Sequence, residues 1–253
     1  MKAKVHRALT VLSRRLLPPS LRYYSQAGED RLLRALFPSD RGFYVDVGAY
    51  DPTELSNTRH FYDRGWSGID IEPIPARADR FRALRPRDVT LNVGVAGTRG
   101  TLTFYEMEPP TLSTFRREEA ERCAAFPGHR IARTHEIPVL PLRDILGEHA
   151  GGRRIDFLSI DTEGLEDEVI RSNDWERFRP VVLLIEYRVY HPRGLEGSSP
   201  KTWEPYLIER GYRFACANDV NALYVRREDE ALLARLPKAL TSSRETSCAG
   251  GDR

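Results

Sequence analysis

Short apolar runs that alternate with helix-like segments are the feature that most restricts the fold of this chain. The runs are four to six residues long, which is typical of strands that are buried in a sheet. The most apolar run, residues 181–185, ends at Glu186. Strands that alternate with helices along a chain form a mainly parallel sheet with helices on both faces. The sequence therefore predicts an α/β fold with a doubly wound sheet.

The individual elements follow from the apolar runs and from the proline and glycine residues that bound them. Strands are predicted at residues 43–47, 67–71, 89–93, 101–105, 137–140, 155–160, 181–186, 212–216 and 222–225. Helices are predicted at residues 29–37, 55–64, 75–84, 165–172 and 203–210. The last two strands are close together in the sequence, so we expect them to pair and to give the sheet an antiparallel edge.

Composition divides the chain into three segments. Residues 1–22 hold six basic residues and no acid, and their apolar side chains have helical spacing; they fit a helix packed on the domain or on a partner, with weak peripheral membrane contact as the alternative. Residues 23–236 carry the strand and helix pattern and are predicted to be one domain. Residues 237–253 form a tail in which we expect disorder, because residues 241–253 are polar and glycine-rich.

Charge and cysteine usage limit the partners and the compartment. The net charge is +2, so the chain beyond residue 22 carries −4, and we expect no nucleic-acid partner. No apolar run approaches the roughly 18 residues that span a membrane. Cys123, Cys216 and Cys248 show no paired spacing, which fits reduced thiols. These features favour a cytoplasmic protein.

Residues 106–136 have the weakest pattern in the domain. They contain Pro109-Pro110, Pro127-Gly128 and clustered charges. Long irregular segments in compact domains are often functional. We therefore expect a lid or substrate loop at residues 106–136, and we expect acceptor specificity to lie there and at residues 187–200.

The first two predicted strands end in residues that suit a nucleoside. Asp46 ends the first strand, and Gly48 follows it, where a glycine lets a ligand approach the backbone closely. Glu72 ends the second strand, 24 residues after Gly48, near the spacing at which an acid binds ribose hydroxyls in nucleotide-binding folds. The alternative is structural: Asp46 caps a turn, and Glu72 caps the helix after Pro73.

The glycine pattern disfavours a ligand with phosphates. The G-x-G-x-x-G fingerprint of dinucleotide-binding folds does not occur at the first turn, and Pro52 has no N–H to donate. A ligand with a ribose and no phosphate is therefore preferred, and S-adenosylmethionine is one.

Three further acids follow later strands. Asp161 and Glu163 come after residues 155–160, and Glu186 comes after residues 181–185. Since neighbouring strand ends meet at one crevice, these carboxylates are predicted to serve as a base, a substrate clamp or ligands for Mg²⁺ or Mn²⁺. Helix N-capping is the alternative for Asp161 and Glu163. His191 lies in the next loop and is a further candidate base, or a turn histidine.

Several motifs in the expected order resemble the FkbM-type methyltransferase family. They are residues 24–30, 43–52, 56–58, 65–73, 155–164, 203–212 and 219–224. The stretch at 155–164, IDFLSIDTEG, is the most characteristic, and the resemblance covers residues 23–225. Two positions depart from the family pattern: Pro52 stands where many methyltransferases have a second glycine, and residues 217–220 lack a glycine before Asn221.

The resemblance implies a class I methyltransferase fold with a mainly parallel, Rossmann-like sheet of seven strands. It also implies S-adenosylmethionine as the donor and O-methylation of a sugar, glycan or secondary metabolite, as in polysaccharide or natural-product biosynthesis. Residues 92–96 are similar to the adenine-side loop, and Asp161 to the acid beside the reactive methyl. The predicted donor site comprises Ser25, Gln26, Glu29, Asp46, Gly48, Ala49, Tyr50, Asn57, Glu72, Asn92, Gly94, Val95 and Asp161.

The predicted reaction is in-line transfer of a methyl group from a sulfonium to an alcohol oxygen. Asp161, Glu163, Glu186 and His191 are the predicted catalytic residues, and Asp161 and Glu186 are the predicted metal ligands. The main alternative is a catalytically silent glycan- or partner-binding module with the same fold. A nicotinamide-dependent oxidoreductase is disfavoured by the missing phosphate-binding glycines.

Overall fold

The computed structural model describes residues 22–187, 201–218 and 220–236. Most of the basic segment 1–22, the tail 237–253 and His191 lie outside the described residues, so the three-segment division stays a prediction. No helix within the described ranges is long and apolar enough to cross a membrane.

The described residues contain ten strands and seven α-helices. The strands are β1 (Phe43–Val47), β2 (Ser67–Ile71), β3 (Val89–Leu91), β4 (Gly94–Val95), β5 (Gly100–Glu108), β6 (Arg130–Leu140), β7 (Phe157–Ile160), β8 (Val182–Glu186), β9 (Tyr212–Ala217) and β10 (Asn221–Arg226). The α-helices are α1 (Glu29–Leu36), α2 (Arg59–Asp63), α3 (Pro75–Leu84), α4 (Arg117–Ala124), α5 (Leu142–His149), α6 (Glu166–Arg171) and α7 (Glu204–Glu209). Short 3₁₀ helices lie at Pro110–Leu112 and Arg227–Arg235.

Seven of the strands in the described residues form the main sheet, in the order β3-β2-β1-β7-β8-β10-β9. All of its pairs are parallel except the two that involve β10, which confirms the predicted doubly wound, mainly parallel sheet. The antiparallel strand β10 lies one place inside the edge, between β8 and β9. The chain reverses its direction of travel across the sheet between β1 and β7, which is where ligands bind in such folds.

Both faces of the main sheet are apolar, because alternate side chains of each strand point to opposite faces. One face packs on α5, α6 and α7, and the other packs on α1 and α2. The first face carries Val45, Ile69, Leu158 and Leu183, and the second carries Tyr44, Phe157 and Leu184. The core therefore has helices on both sides, and it leaves the strand ends open to a ligand.

A second sheet joins β4, β6 and β5, and it overturns the expectation that residues 106–136 are irregular. The antiparallel pair of β5 and β6 extends to Glu108 and Arg130, and α4 lies in the connection between them. The prediction was wrong because polar side chains, such as Glu106 with His135 at 2.7 Å, pair across the outer part of β5 and β6. The apolar side chains of this segment, such as Met107, pack in a small separate cluster with Leu112, Ala120 and Cys123, and they are too scattered in the sequence to form an apolar run.

The predicted helix at residues 55–64 begins later, at Arg59. Leu55 has a positive φ of 52°, which is incompatible with a helix, and the Ser56 hydroxyl accepts a hydrogen bond from the Arg59 N–H at 3.1 Å. The segment between β1 and α2 is therefore a loop with a defined conformation, and it forms part of the site.

Candidate active site

A cavity of about 740 Å³ opens at the carboxyl ends of β1, β2, β7 and β8. Its position is the switch point of the main sheet, and its volume is in the range of small-molecule sites. Most of the sequence-predicted site residues line it together: Gln26, Asp46, Gly48, Ala49, Tyr50, Asn57, Glu72, Gly94, Val95, Asp161, Glu163 and Glu186.

The turn after β1 requires glycine at position 48. Gly48 has a φ of 81°, and its N–H donates to the Ile71 carbonyl at 3.0 Å. A β-carbon at this position would lie 1.8 Å from the carbonyl oxygen of Asp161. The ends of β1 and β7 are thus brought together at a distance that only glycine permits.

Glu72, at the end of β2, is held in place by backbone donors. Its Oε2 accepts the N–H of Tyr50 at 2.9 Å, and its Oε1 accepts the N–H of Ile74 at 2.8 Å. Burial raises the pKa of the Glu72 carboxyl to about 7, and the Arg77 guanidinium opposes that shift. Each carboxylate oxygen has a second acceptor direction, which leaves room for hydroxyl groups of a ligand.

Asp46 and the loop after it are organised by a buried arginine. Arg85 is fully buried, and two of its N–H groups donate to the Pro52 carbonyl. Its Nη1 donates to the Thr58 hydroxyl at 2.7 Å, and that hydroxyl donates to Asp46 at 3.1 Å. Asp70 lies 3.6 Å from the same guanidinium. Pro52 thus takes part in this loop through its carbonyl, a group that proline retains.

Three carboxyl groups meet on the other side of the cavity. Asp161, Glu163 and Glu186 each offer an oxygen within 4.8 Å of the others. Burial raises the pKa of Asp161 to about 7, and Asp161 shares a hydrogen bond with Glu186. Burial and the mutual repulsion of the acids hold the pKa values of Glu163 and Glu186 well above their usual range. This acid cluster can hold a proton or a hard cation.

The loop that carries the acid cluster is fixed from two sides. The Oε1 of Glu166, in the first turn of α6, accepts the Thr162 N–H, the Thr162 hydroxyl and the Gly164 N–H at 3.1, 2.9 and 3.1 Å. From the opposite side, the buried Thr114 hydroxyl donates to the Glu163 carbonyl at 2.9 Å. These contacts hold Glu163 at a positive φ of 53°.

Three predicted donor residues in the described part of the chain stand outside the cavity wall. Ser25 donates to Asp30 at 2.7 Å, and the Glu29 carboxylate accepts from Asn218 and Asn221 at 2.8 and 2.9 Å. Asn92 donates to the carbonyls of Glu72 and Pro73 at 2.9 and 2.8 Å. Their side chains therefore position the segments that line the cavity, and their donor roles stay predictions. His191 lies outside the described residues.

Comparison with known families shows to which family the chain belongs. The family model for the methyltransferase FkbM domain matches residues 46–214, which include the glycine turn, Glu72 and the acid cluster. The chain belongs to the FkbM methyltransferase family. The matched part begins at Asp46 in β1 and ends in β9, so it includes all of β2, β3, β7 and β8 of the main sheet.

Individual relatives are more distant. Methyltransferase 1 of the fungus Beauveria bassiana is 28% identical over 158 residues, which are 57% of this chain and 63% of that protein. A crystal structure of methyltransferase FkbM from Methylobacillus flagellatus has a TM-score of 0.46 at 15% identity, and covers 80% of this chain and 48% of its own. Precorrin-6y C5,15-methyltransferase from Geobacter metallireducens has a TM-score of 0.39 at 10% identity, with coverage of 78% and 86%. The chain thus spans less than two thirds of the fungal relative and about half of the FkbM structure.

Sequence reasoning missed several residues of this FkbM methyltransferase site. Arg77 lines the cavity from α3, and the segment between β5 and α4 contributes Leu112 and Phe115. Arg85 and Glu166 act one layer behind the cavity wall. For Arg85, which stands between Leu84 and Pro86, the available signal was a charged residue with apolar neighbours, since such a side chain needs a partner when buried. Glu166 is followed by Asp167 and Glu168, and its sequence context gave no such signal.

Proposed function

We propose that this chain transfers a methyl group from S-adenosylmethionine to a hydroxyl oxygen of a sugar, a glycan or a secondary metabolite. The observation that carries the proposal is that one cavity joins Glu72 and the Gly48 turn to the acid cluster. The first pair suits a nucleoside, and the second suits the removal of a proton.

The donor side matches a nucleoside without phosphates. Glu72 is buried at a strand end with acceptor capacity to spare, as ribose hydroxyls require. Gly48 and Ala49 donate their N–H groups to the Ile71 carbonyl, so the turn offers no cradle of free donors for a pyrophosphate. S-adenosylmethionine satisfies both conditions.

The acid cluster can accept the proton that must leave the acceptor hydroxyl during the transfer. The methyl carbon of a sulfonium is already activated by its charge, so positioning and proton removal remain for the protein. As the acceptor oxygen forms its bond to the methyl carbon, the carbon–sulfur bond breaks, and the hydroxyl proton passes to Asp161. The products are a methyl ether and S-adenosylhomocysteine. A carboxyl with a pKa of about 7 is suited to accept this proton near neutral pH.

A divalent cation is a second way to use the same residues. Asp161, Glu163 and Glu186 fit Mg²⁺ or Mn²⁺ in ligand type and number, and they would hold it. Such an ion would lower the pKa of the acceptor hydroxyl. Chelation separates the two: with direct transfer of the proton to Asp161, EDTA leaves the rate unchanged, and with a cation the rate falls and returns with Mg²⁺ or Mn²⁺.

The experiment that tests the function uses donor with a labelled methyl group. The protein is incubated with fractions of hydroxylated metabolites and glycans, and the products are treated with mild base. We expect label in a base-stable ether, and no label with Asp161→Asn. Donor binding without any transfer across the fractions would instead indicate a binding module. The cytoplasmic location of this activity is part of the same proposal.

A further inference from the structure

The side chains of Arg77 and Tyr50 form a stacked pair in the cavity wall. The Cζ of Arg77 lies 4.1 Å from the centroid of the Tyr50 ring, and both residues line the cavity. Arg77 is half-buried on α3, whereas Ala76 and Asp79 of the same helix are exposed. Arg77 therefore lies on the side of α3 that faces the cavity.

Tyr50 is held in a costly backbone conformation at this point. Its φ is 59°, in the left-handed region, and its N–H donates to Glu72. Of the non-glycine residues with positive φ in the described part of the chain, all three line this cavity: Tyr50, Leu55 and Glu163. Strain of this kind persists where the surroundings enforce it, and it concentrates at functional sites.

Arg77 also sets the charge around Glu72. The charged groups that most affect the Glu72 carboxyl are the Arg77 guanidinium from α3 and the Asp46 carboxyl from β1. Arg77 favours the ionised form of Glu72, and Asp46 opposes it. One guanidinium thus contacts the ring of Tyr50 and stabilises the acid that the Tyr50 N–H holds.

We infer that Arg77 is a positioning residue for the methyl donor, which acts through the ring of Tyr50 and through the charge of Glu72. The inference rests on the proposed donor, because Glu72 is the group that would receive its ribose. It explains why a residue on a separate helix occupies the wall beside the strand ends. It also assigns a function to the Tyr50 ring, which is to stack on Arg77, and a smaller side chain could not do this.

Calorimetry with S-adenosylhomocysteine as the probe tests this inference. Arg77→Met is compared with wild type and with Arg82→Met, a control on the same helix whose guanidinium pairs with Asp79 in solvent. At about pH 8.5, where Glu72 is ionised, we expect Arg77→Met to bind about two- to fivefold more weakly through the lost stacking contact. At about pH 6.5 we expect a larger loss, since Glu72 is then more protonated in the variant. Arg82→Met is expected to match wild type.

Two more variants separate the ring from the charge. Arg77→Lys keeps the charge, so its loss of affinity should be the same at both pH values. Tyr50→Asn removes the ring, and asparagine tolerates the left-handed conformation, so the fold is retained. At the higher pH, Tyr50→Asn combined with Arg77→Met should bind no more weakly than the weaker-binding single variant, because both remove the same contact.

The outcomes are decisive in either direction. Wild-type affinity in Arg77→Met, or a loss that does not depend on pH, overturns the inference. If wild type itself does not bind S-adenosylhomocysteine, the proposed function fails first. Those two failures are distinguished by the wild-type titration alone.

Discussion

Gly48 and Asp161 touch across the switch point of the sheet, so closely that a β-carbon on residue 48 would lie 1.8 Å from the Asp161 carbonyl oxygen. The turn that follows β1 therefore packs directly on the acid that follows β7. The donor side and the acid cluster hold a fixed spacing because backbone packs directly on backbone there.

Gly48→Ala is expected to disrupt the packing of the β1 turn on Asp161. The substitution adds a backbone clash to the cost of a positive φ, and together these should lower the free energy of unfolding by about 3 kcal/mol or more. Gly128→Ala is the matched control: its φ is also 81°, and no atom of the described residues lies within 4 Å of the added carbon. Urea denaturation of both variants measures the difference. Equal losses would show that the contact with Asp161 adds nothing.

Glu166 is expected to fix the acid-bearing loop through its position as an acceptor, not through its charge. Glu166→Leu leaves three donors of residues 162 and 164 without their partner, which should cost about 2–4 kcal/mol. Glu166→Gln keeps a carbonyl oxygen at the same place and should cost less than about 1 kcal/mol. Hydrogen exchange of the Thr162 and Gly164 amides reports on the loop directly. Equal exchange in the two variants would refute this role.

Substitution of Glu163 by asparagine is expected to raise the stability of the fold and to lower the rate of methyl transfer. Asparagine adopts a positive φ more readily than glutamate, and it removes a carboxyl group from the acid cluster. Glu163→Asn should therefore raise the free energy of unfolding by about 1 kcal/mol while it lowers methyl transfer. Glu163→Gln also removes the carboxyl group but keeps the longer side chain, so the difference in stability between the two variants reports mainly on the backbone strain. A Glu163→Asn protein no more stable than Glu163→Gln would mean that the strain is negligible.

Stability should fall as the pH rises from about 4 to about 6, because of Asp30. Burial raises the pKa of this carboxyl to about 6 in the folded chain, above its unfolded value. A raised pKa means that the folded state binds the proton more tightly, so its contribution is full below about pH 4 and is lost above about pH 6. The size of the effect is about 2–3 kcal/mol. Unfolding curves of wild type and Asp30→Asn at several pH values check it, and parallel pH profiles would contradict it.

The fold could be predicted because its strands are buried on both faces. Residues 43–47, 67–71 and 182–186 read as short apolar runs, and the chain order then implies a doubly wound sheet. The second sheet was predicted only in part. Residues 101–105 and 137–140 were predicted as strands, whereas the outer parts of β5 and β6, residues 106–108 and 130–136, are rich in charged and exposed residues and show neither apolar runs nor helical spacing.

The site could be predicted as far as it follows strand ends. Glu72, Asp161 and Glu186 interrupt apolar runs, and the topology brings such positions together. Arg77 and Glu166 lie on helices, where a charged residue reads as part of a solvated face. Their roles depend on which way the helix turns relative to the strand ends, and that orientation is a property of tertiary packing.

One pair of variants tests the central claim, that Glu72 holds the donor while Asp161 serves the transfer. Affinity for S-adenosylhomocysteine and transfer of labelled methyl are measured on the same preparations of wild type, Glu72→Ala and Asp161→Asn. Glu72→Ala should bind the probe about 1.5–3 kcal/mol more weakly, the scale of charge-assisted hydrogen bonds. Asp161→Asn should bind the probe nearly as wild type does, because S-adenosylhomocysteine lacks the methyl group beside which Asp161 is predicted to lie, and it should transfer no methyl group. Wild-type affinity in Glu72→Ala, or wild-type transfer by Asp161→Asn, would contradict the account.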